Sequence, residues 1–314
     1  MTDAATNVTS YAYDTENNLT SITDALGRVT GFTYDNFGRV TRTTFPSTLT
    51  ETYTYDAVGN LLSKTDRKGQ AINYFYDTLD RLATKTYPDS TAVNYTYDNV
   101  SRLTQVADPT GTYGFSYDNM DRLTGSSTQY SFLTSGPFTL GYGYDAGSNR
   151  TSMTDPQSGV TSYVYDTLNR LASLSNPQSQ QFGFSYDALS RRTQMTRPNG
   201  VNTNYSYDSV SRLLSVLHQA GATTLDGASY GVDAAGNRTS KSNALNNVAE
   251  NYSYDAIYQL TQVVQGANTT ESYSYDQVGN RLSSLGVFPY SYNSSNELTA
   301  KPSVTTPTTT TATW

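Results

Sequence analysis

Tyr-Asp pairs recur along this chain every 21 residues, and that period limits its fold more than any other feature. The pairs fall at Tyr13-Asp14, Tyr34-Asp35, Tyr55-Asp56, Tyr76-Asp77 and Tyr97-Asp98, then one residue early at Tyr117-Asp118. After a longer interval come Tyr144-Asp145, Tyr165-Asp166, Tyr186-Asp187 and Tyr207-Asp208, again 21 residues apart. A degenerate Val232-Asp233 precedes Tyr254-Asp255 and Tyr275-Asp276, and Tyr292-Asn293 is a decayed last copy. Self-similarity at such a period marks a repeat architecture, where each repeat is one supersecondary element that buries apolar surface only against its neighbours. The usual inference from chain length to one large domain or two ordinary ones therefore fails.

Each repeat has the same internal order. An aromatic residue usually precedes the tyrosine by two, as in Tyr53 and Tyr55, Tyr74 and Tyr76, Tyr163 and Tyr165, or Phe184 and Tyr186. That spacing puts both rings on one face of a strand. The aspartate then opens a turn of the form D-x-x-G-R or D-x-x-G-N, from Asp35 to Arg39, Asp56 to Asn60 and Asp276 to Asn280. Its carboxylate can accept backbone N–H groups ahead of it in an Asx-type turn. Gly38, Gly59, Gly236 and Gly279 supply the positive φ that three- and four-residue hairpin loops often require. Asp80, Ser101, Asn169 and Ser190 stand at the same place in other repeats; Asn and Asp tolerate that conformation, Ser less well.

A second strand follows, led by Val40, Leu61, Leu82, Leu103, Leu123, Leu171 or Leu213. It ends at a second turn rich in Pro, Asp and Gly, such as Asp108-Pro109-Thr110-Gly111, Asp155-Pro156-Gln157-Ser158-Gly159 or Arg197-Pro198-Asn199-Gly200. One repeat is one β-hairpin plus its link to the next, so the chain should hold roughly two dozen short antiparallel strands. A lone hairpin is marginal in water, so each must pair with its neighbours. Stacked hairpins make a long sheet, and strand twist makes such a sheet coil into a filled solenoid or a wide spiral around a space. Leu, Ile, Val and Phe together make up only 56 of the 314 residues, which favours the wide spiral because a filled core needs more aliphatic volume. The 28 tyrosines carry the apolar load instead. The predicted fold is all-β: tandem antiparallel hairpins in a curved, spiralling sheet.

The expected organisation is an N-terminal edge at 1–9, the repeat array at 10–298 and a Thr/Pro-rich tail or truncation edge at 299–314. Irregular intervals near 124–141 and 215–231 read as loop insertions at hairpin ends, which add little closure entropy.

Several function classes are disfavoured. The net charge of -7 and the lack of basic clusters argue against nucleic-acid binding. With no cysteine there are no disulfides, thiolate zinc sites or cysteine nucleophiles. No apolar run is long enough for a membrane span, and the start, MTDAATNVTS, lacks the features of a secretory signal. Export is then signalled elsewhere, or the chain is a piece of a longer one. His218 is the single histidine, in a stretch that reads as a loop, so no triad or His-rich metal constellation is expected. The recurrent aspartates lack the dense D-x-D-x-D pattern of calcium loops and read as turn builders. No carboxylate pair stands out for glycoside hydrolysis. The arginines after the turn (Arg39, Arg81, Arg102, Arg122, Arg170, Arg212) read as cross-strand partners of the aspartates, with an anion or glycan contact as the alternative. The tyrosine rows read as cross-strand aromatic ladders, or alternatively as platforms for sugar rings. Triplets such as Asn18-Leu19-Thr20 and Asn237-Arg238-Thr239 follow from Asn/Thr richness. No catalytic, metal or cofactor residue is assigned.

Tyrosine, aspartate, glycine and arginine in this order and period resemble the Rhs/YD-repeat family. The copies that carry the match are YDNFGRV at 34–40, YDAVGNL at 55–61, YDTLDRL at 76–82, YDTLNRL at 165–171 and YDQVGNRL at 275–282. The motif residues are Tyr34, Asp35, Gly38, Arg39, Tyr55, Asp56, Gly59, Tyr76, Asp77, Arg81, Tyr97, Asp98, Arg102, Tyr165, Asp166, Arg170, Tyr275, Asp276 and Gly279. The resemblance implies a hollow β shell. In bacterial Rhs toxins and the B/C components of insecticidal toxin complexes such a shell encloses a C-terminal toxin domain; in wall-associated proteins and teneurins related repeats are displayed at the cell surface. It implies partners in cis, the rest of the shell and a toxin cargo, and a secreted or cell-surface location. The alternative it carries is an adhesion module binding glycan or protein through tyrosine-rich faces. The family's closing segment is not recognisable after Tyr292 and no toxin domain follows, so a fragment or a short orphan member is expected. Asp108-Pro109-Thr110-Gly111 is read as a turn within the array and is not assigned the family's autoproteolytic role.

Overall fold

The computed structural model describes residues 1–301. All regular structure among the described residues is β, in 29 strands from β1 (Ser10–Tyr13) to β29 (Leu298–Ala300), with no helix. Twenty-five strands belong to a long antiparallel sheet, and the last four form two separate hairpins. By contact the chain divides into two units, one of Met1–Glu51 with the segment from Ser229 onward and one of Thr52–Ala228.

Within the second unit the sheet is an up-and-down meander. β7 (Ala71–Tyr76) pairs with β8 (Leu82–Thr86), β8 with β9 (Ala92–Tyr97), and β9 with β10 (Leu103–Asp108), each antiparallel to the strand before it. The first unit shows the same order, β1 with β2 (Leu19–Thr23), β2 with β3 (Val29–Tyr34) and β3 with β4 (Val40–Thr44). Toward its end β22 (Arg238–Asn243), β23 (Ala249–Tyr254) and β24 (Leu260–Gln265) pair in turn.

Most turns at both ends of the hairpins share one design. At the YD end, Gly38 N–H donates to the Asp35 carbonyl and Asp35 N–H to the Arg39 carbonyl, each at 3.0 Å. This is a type I turn followed by a left-handed residue, a three-residue hairpin loop. Gly38 holds φ 73° and Gly59 φ 104°, as the sequence requires. Asp80, Ser101, Asn169 and Ser190 adopt the same region at φ 57°, 68°, 58° and 61°. The second turns repeat the pattern: Tyr87 N–H donates to the Thr91 carbonyl and Ser90 N–H to the Tyr87 carbonyl. Pro88 presets φ at the turn's second position.

The two ends differ in register. Tyr34 sits opposite Val40 while Thr33 sits opposite Arg42, so Thr41 is extra. The same bulge recurs at Tyr76, Tyr97 and Tyr165, whereas on the second-turn side pairs such as β8 and β9 run in regular register, with an irregularity at Val263–Val264 as an exception. A bulge bends its strand and strengthens local twist.

Side-chain burial follows the two-residue period. In β9 Tyr95 and Tyr97 are half-buried while Asn94 and Thr96 are exposed. Deep burial is scarce. Among the described residues the buried hydrophobic side chains are Ala228, Val263 and Tyr290, and Thr203, at 1% exposure, is the most enclosed residue. In neither unit does a sheet face become a dry core.

The irregular intervals are mostly strand, which corrects the loop reading. β12 (Leu123–Tyr130) continues along β11 (Gly111–Tyr117) as far as the pair Gly111–Tyr130, and only then does a loop lead to β13 (Phe138–Tyr144). β20 (Leu213–Ala220) pairs with β19 (Val201–Tyr207) along its full length. His218 is therefore on a strand, opposite Thr203, with its Nδ1 2.9 Å from the Thr203 hydroxyl. The Gly and small residues that suggested a loop form only the tip at Gly221. Asp108 accepts the N–H groups of Thr110 and Gly111 and closes the hairpin of β10 and β11. Residues 1–9 already carry the turn, since Asp3 Oδ1 accepts the N–H groups of Ala5 and Asn7. β29 runs to Ala300, and the Thr/Pro-rich remainder of the expected tail, from Pro302, lies outside the described residues.

Candidate functional site

The chemistry-bearing residues line the YD-turn edge. Each aspartate divides its two oxygens between backbone and side chain. Asp35 Oδ1 accepts the N–H groups of Phe37 (2.9 Å) and Arg39 (3.0 Å), and Oδ2 accepts Arg39 Nε at 2.7 Å. Asp77 with Arg81, Asp98 with Arg102, Asp166 with Arg170 and Asp208 with Arg212 repeat this arrangement. Where asparagine holds the fifth position the amide replaces the guanidinium: Asn60 Nδ2 reaches Asp56 Oδ2 at 3.0 Å, and Asn280 reaches Asp276 at 2.8 Å. The backbone N–H of Arg102 holds the Asp98 carboxyl below its ordinary value, against partial burial and with further help from the guanidinium. Asp166 and Asp208 are lowered in the same way. Among the described residues no three carboxylate or imidazole groups converge on a metal position.

The arginine does more than close its own turn. Arg81 Nη1 donates to the carbonyl of Asp98 and to Ser101 Oγ in the next repeat, at 3.2 and 3.0 Å. Arg102 reaches the Asp118 carbonyl and Asp121 Oδ1, both at 2.8 Å, and Arg170 reaches Asp187 and Ser190. These contacts satisfy the left-handed residue of the following turn, which accounts for serine at a position where it is otherwise disfavoured. Asn60 and Asn149 make the shorter equivalent, to Asp80 and Asn169, at 3.0 Å each.

The same guanidinium lies over the tyrosine of the next repeat. Arg81 is 4.7 Å from the Tyr97 ring centre, Arg102 5.1 Å from Tyr117, and Arg170 4.7 Å from Tyr186. This corrects the expectation of aromatic ladders. Equivalent tyrosines stand two strands apart, about 9.5 Å, too far for rings to touch. Among the described residues, ring pairs occur at Tyr130–Phe132 and Tyr130–Phe138, on the lengthened hairpin.

The tyrosine hydroxyl completes the link backward. Tyr97 Oη donates to the Leu82 carbonyl at 3.0 Å, Tyr76 to Leu61 at 3.1 Å, Tyr34 to Leu19 at 2.7 Å, Tyr165 to Arg150 at 3.0 Å and Tyr275 to Leu260 at 2.8 Å. Partial burial pushes the hydroxyls of Tyr76 and Tyr275 above their ordinary value. The structure thus brings Tyr, Asp, the left-handed residue and Arg or Asn of each motif together at one turn. Tyr55, Asp56 and Gly59 form one such cluster, and Tyr275, Asp276 and Gly279 another. It does not converge successive motifs on a cleft. An open cleft of about 680 Å³ lies between the first two YD turns, but Asp14 and Asp35 in its wall are engaged by their own turns.

The arginine's reach into the next repeat is not legible in the sequence, and the apolar residue at the middle of most YD turns is a further feature missing from the motif as read there. The recurring pattern D-x-Φ-x-R, as in DNFGR and DTLDR, was its available signal.

Residues 4–219 match the family described as Teneurin YD-shell. No curated protein matches the sequence. Among solved structures, the crystal structure of TcdB2-TccC3 is similar at TM-score 0.75 and 18% identity, covering 87% of this chain and 18% of that one. TcdB2-TccC3-Cdc42 gives TM-score 0.63 and 18% identity over 92% of this chain and 20% of that one. The Photorhabdus luminescens Tc holotoxin pore gives 0.61 and 18% over 88% and 18%. At this identity the likeness is one of fold, and the chain spans about a fifth of the length of the chains it matches.

Proposed function

The chain belongs to the teneurin YD-shell family, and from that membership we propose that it is a non-catalytic wall segment of a shell that encloses or scaffolds a toxin domain in cis. The observation that carries this reading is the tie between successive repeats. Tyrosine hydroxyls such as that of Tyr97 bond a carbonyl of the repeat before, and turn arginines such as Arg102 bond the turn after. Such ties make a continuous sheet and engage the motif's polar groups in holding it together. A wall around a space is supported by two further features: bulges recurring at the YD edge, which bend the sheet, and the scarcity of buried aliphatic side chains. Fold likeness to a chain of a Tc holotoxin pore supports a toxin-associated, secreted setting.

Adhesion through tyrosine-rich faces is the second reading, and half-buried tyrosines two before several YD pairs, such as Tyr95, favour it. The YD tyrosines themselves offer little to a sugar ring, because guanidinium groups already occupy faces such as those of Tyr97 and Tyr186.

Protease protection in the longest reading frame that contains this chain tests enclosure. A C-terminal domain inside the shell resists protease until the shell is opened with denaturant, and a glycan array gives no binder. Equal digestion before and after opening contradicts the container.

A further inference from the structure

The second strand of each hairpin opens on leucine or valine in the first six repeats. From there on arginine takes that place in every second repeat, at Arg150, Arg192, Arg238 and Arg281, with leucine between them as at Leu171 and Leu213. These arginines stand one residue beyond the turn, are exposed, and lie against tyrosine rings. Arg150 is 5.8 Å from the Tyr142 ring centre and 4.8 Å from that of Tyr163, and Arg192 is 4.7 Å from that of Tyr205. A guanidinium stacked on a ring keeps its planar N–H edge for an acceptor. The turn arginines spend that edge on aspartate, as Arg170 and Arg191 do. Among the described residues Arg150 and Arg192 form no ion pair.

The first unit shows what completes such an arrangement. There Arg238 lies 4.6 Å from the Tyr230 ring centre, and the hydroxyl of Tyr252 on the following strand donates to Glu250 Oε2 at 2.7 Å. The Tyr252 hydroxyl, followed by the charges of Lys241 and Arg238, holds the Glu250 carboxyl below its ordinary value against partial burial. Beside Arg281, which is 5.8 Å from the Tyr273 ring centre, the Tyr273 hydroxyl donates to Glu271 Oε2 at 2.8 Å. Both glutamates stand two residues before their tyrosine. In the second unit that place is taken by Thr161 before Tyr163 and by Thr203 before Tyr205, and the Thr203 hydroxyl is already bonded to His218. The arginine and the rings are kept there while the carboxylate is missing.

We propose that Arg150 and Arg192 bind an extended acidic peptide segment of a partner, each guanidinium taking one side-chain carboxylate in the bidentate manner. A glutamate side chain completes the first-unit arrangements, and on a chain of net charge -7 two unspent arginines on one sheet face select for acid. β14 (Arg150–Thr154) and β18 (Arg192–Thr196) are four strands apart, about 19 Å. Six residues of extended peptide cover about 20 Å and return a side chain to the same face. The partner's carboxylates are therefore six residues apart, on a segment that runs across the strands. The proposal stands whether or not the shell encloses a toxin.

Fluorescence anisotropy on the intact chain tests it, with labelled Ser/Thr peptides that carry two glutamates, six residues apart in one and three apart in the other. The six-spaced peptide binds at least tenfold more tightly than the three-spaced one, and added salt weakens it. Arg150→Gln with Arg192→Gln weakens it at least tenfold, with an unchanged β circular dichroism spectrum. Arg238→Gln makes the same change of charge at an arrangement that Glu250 already fills, and leaves the affinity within twofold of the parent. Lysine at positions 150 and 192 keeps the charge without the planar fork; it replaces glutamine if that variant loses its spectrum, and weakens binding at least threefold. A parent that binds neither peptide, equal affinity for the two spacings, or an Arg238→Gln effect as large as that of the double variant each overturns the proposal. So does heparin that binds more tightly than the peptide and is released by the double variant, or self-association of the parent that the double variant abolishes.

Discussion

At the scale of single residues, the tyrosine hydroxyl and the left-handed turn residue hold most of the specificity. Tyr97→Phe keeps the ring under Arg81 and removes only the bond to the Leu82 carbonyl. This variant should lose about 1 kcal/mol in urea denaturation. Tyr97→Ala removes the packing as well and costs several times that. At Gly59, φ 104° is hostile to a β-branched side chain, so Gly59→Val destabilises by more than about 1 kcal/mol. Ala146→Val, in an exposed turn position without positive φ, stays within about 0.5 kcal/mol. Equal shifts in melting temperature for these two variants would refute the turn assignment.

At the scale of the element, each hairpin is half-built by its neighbour. Arg102 closes the turn at Asp98 and also holds the turn at Asp118 through its carbonyl and through Asp121. Arg102→Ala should therefore speed amide hydrogen exchange in both turns, Asp98–Arg102 and Asp118–Arg122, while the second turn at Tyr87–Thr91 keeps its protection. Loss confined to the first turn would show that the forward contact carries no weight. The hairpin itself was legible in the sequence, because Asx turns and positive-φ residues are local chemistry that D-x-x-G-R spells out. The forward bond was not legible. It joins residues 16 to 26 apart, and its existence depends on hairpins stacking in register, which no local pattern states. The strand that holds His218 was hidden for a different reason: HQAGATT has loop-like composition, and only pairing with Val201–Tyr207 makes a strand of its first half. Ring ladders were expected because tyrosines share a face; strand spacing puts them too far apart, and arginine fills the interval.

At the scale of the whole molecule, stability is a sum of repeats and their junctions, and pH acts on every junction at once. Carboxyls such as Asp98, Asp166 and Asp208 lie below their unfolded value. Their contribution is complete above about pH 5 and drains as pH falls through the folded values. The stapling hydroxyls of Tyr76 and Tyr275 are raised, and burial followed by the Glu250 carboxylate pushes Tyr252 up to about 12. Their share is complete below about pH 10 and is lost as pH rises through the folded values. The urea midpoint should form a plateau between these limbs, checked by titrating it from pH 3 to about 12; a midpoint that keeps rising below about pH 4 would contradict the carboxylate ties.

Coupling between like repeats is the claim on which the rest depends, and excision of one repeat tests it most directly. Removing Asp77–Tyr97 takes out 21 residues and leaves Tyr76 followed by Asp98, a junction identical in kind to the ones it replaces. Hydrogen exchange on this shortened chain should show the remaining strands as protected as in the parent, with one cooperative hairpin fewer. Removing a single strand, Asp77–Tyr87, reverses strand direction and should abolish protection on both sides. If the whole-repeat excision also unprotects the sheet, or if the two deletions behave alike, the repeats are not interchangeable members of one stapled wall.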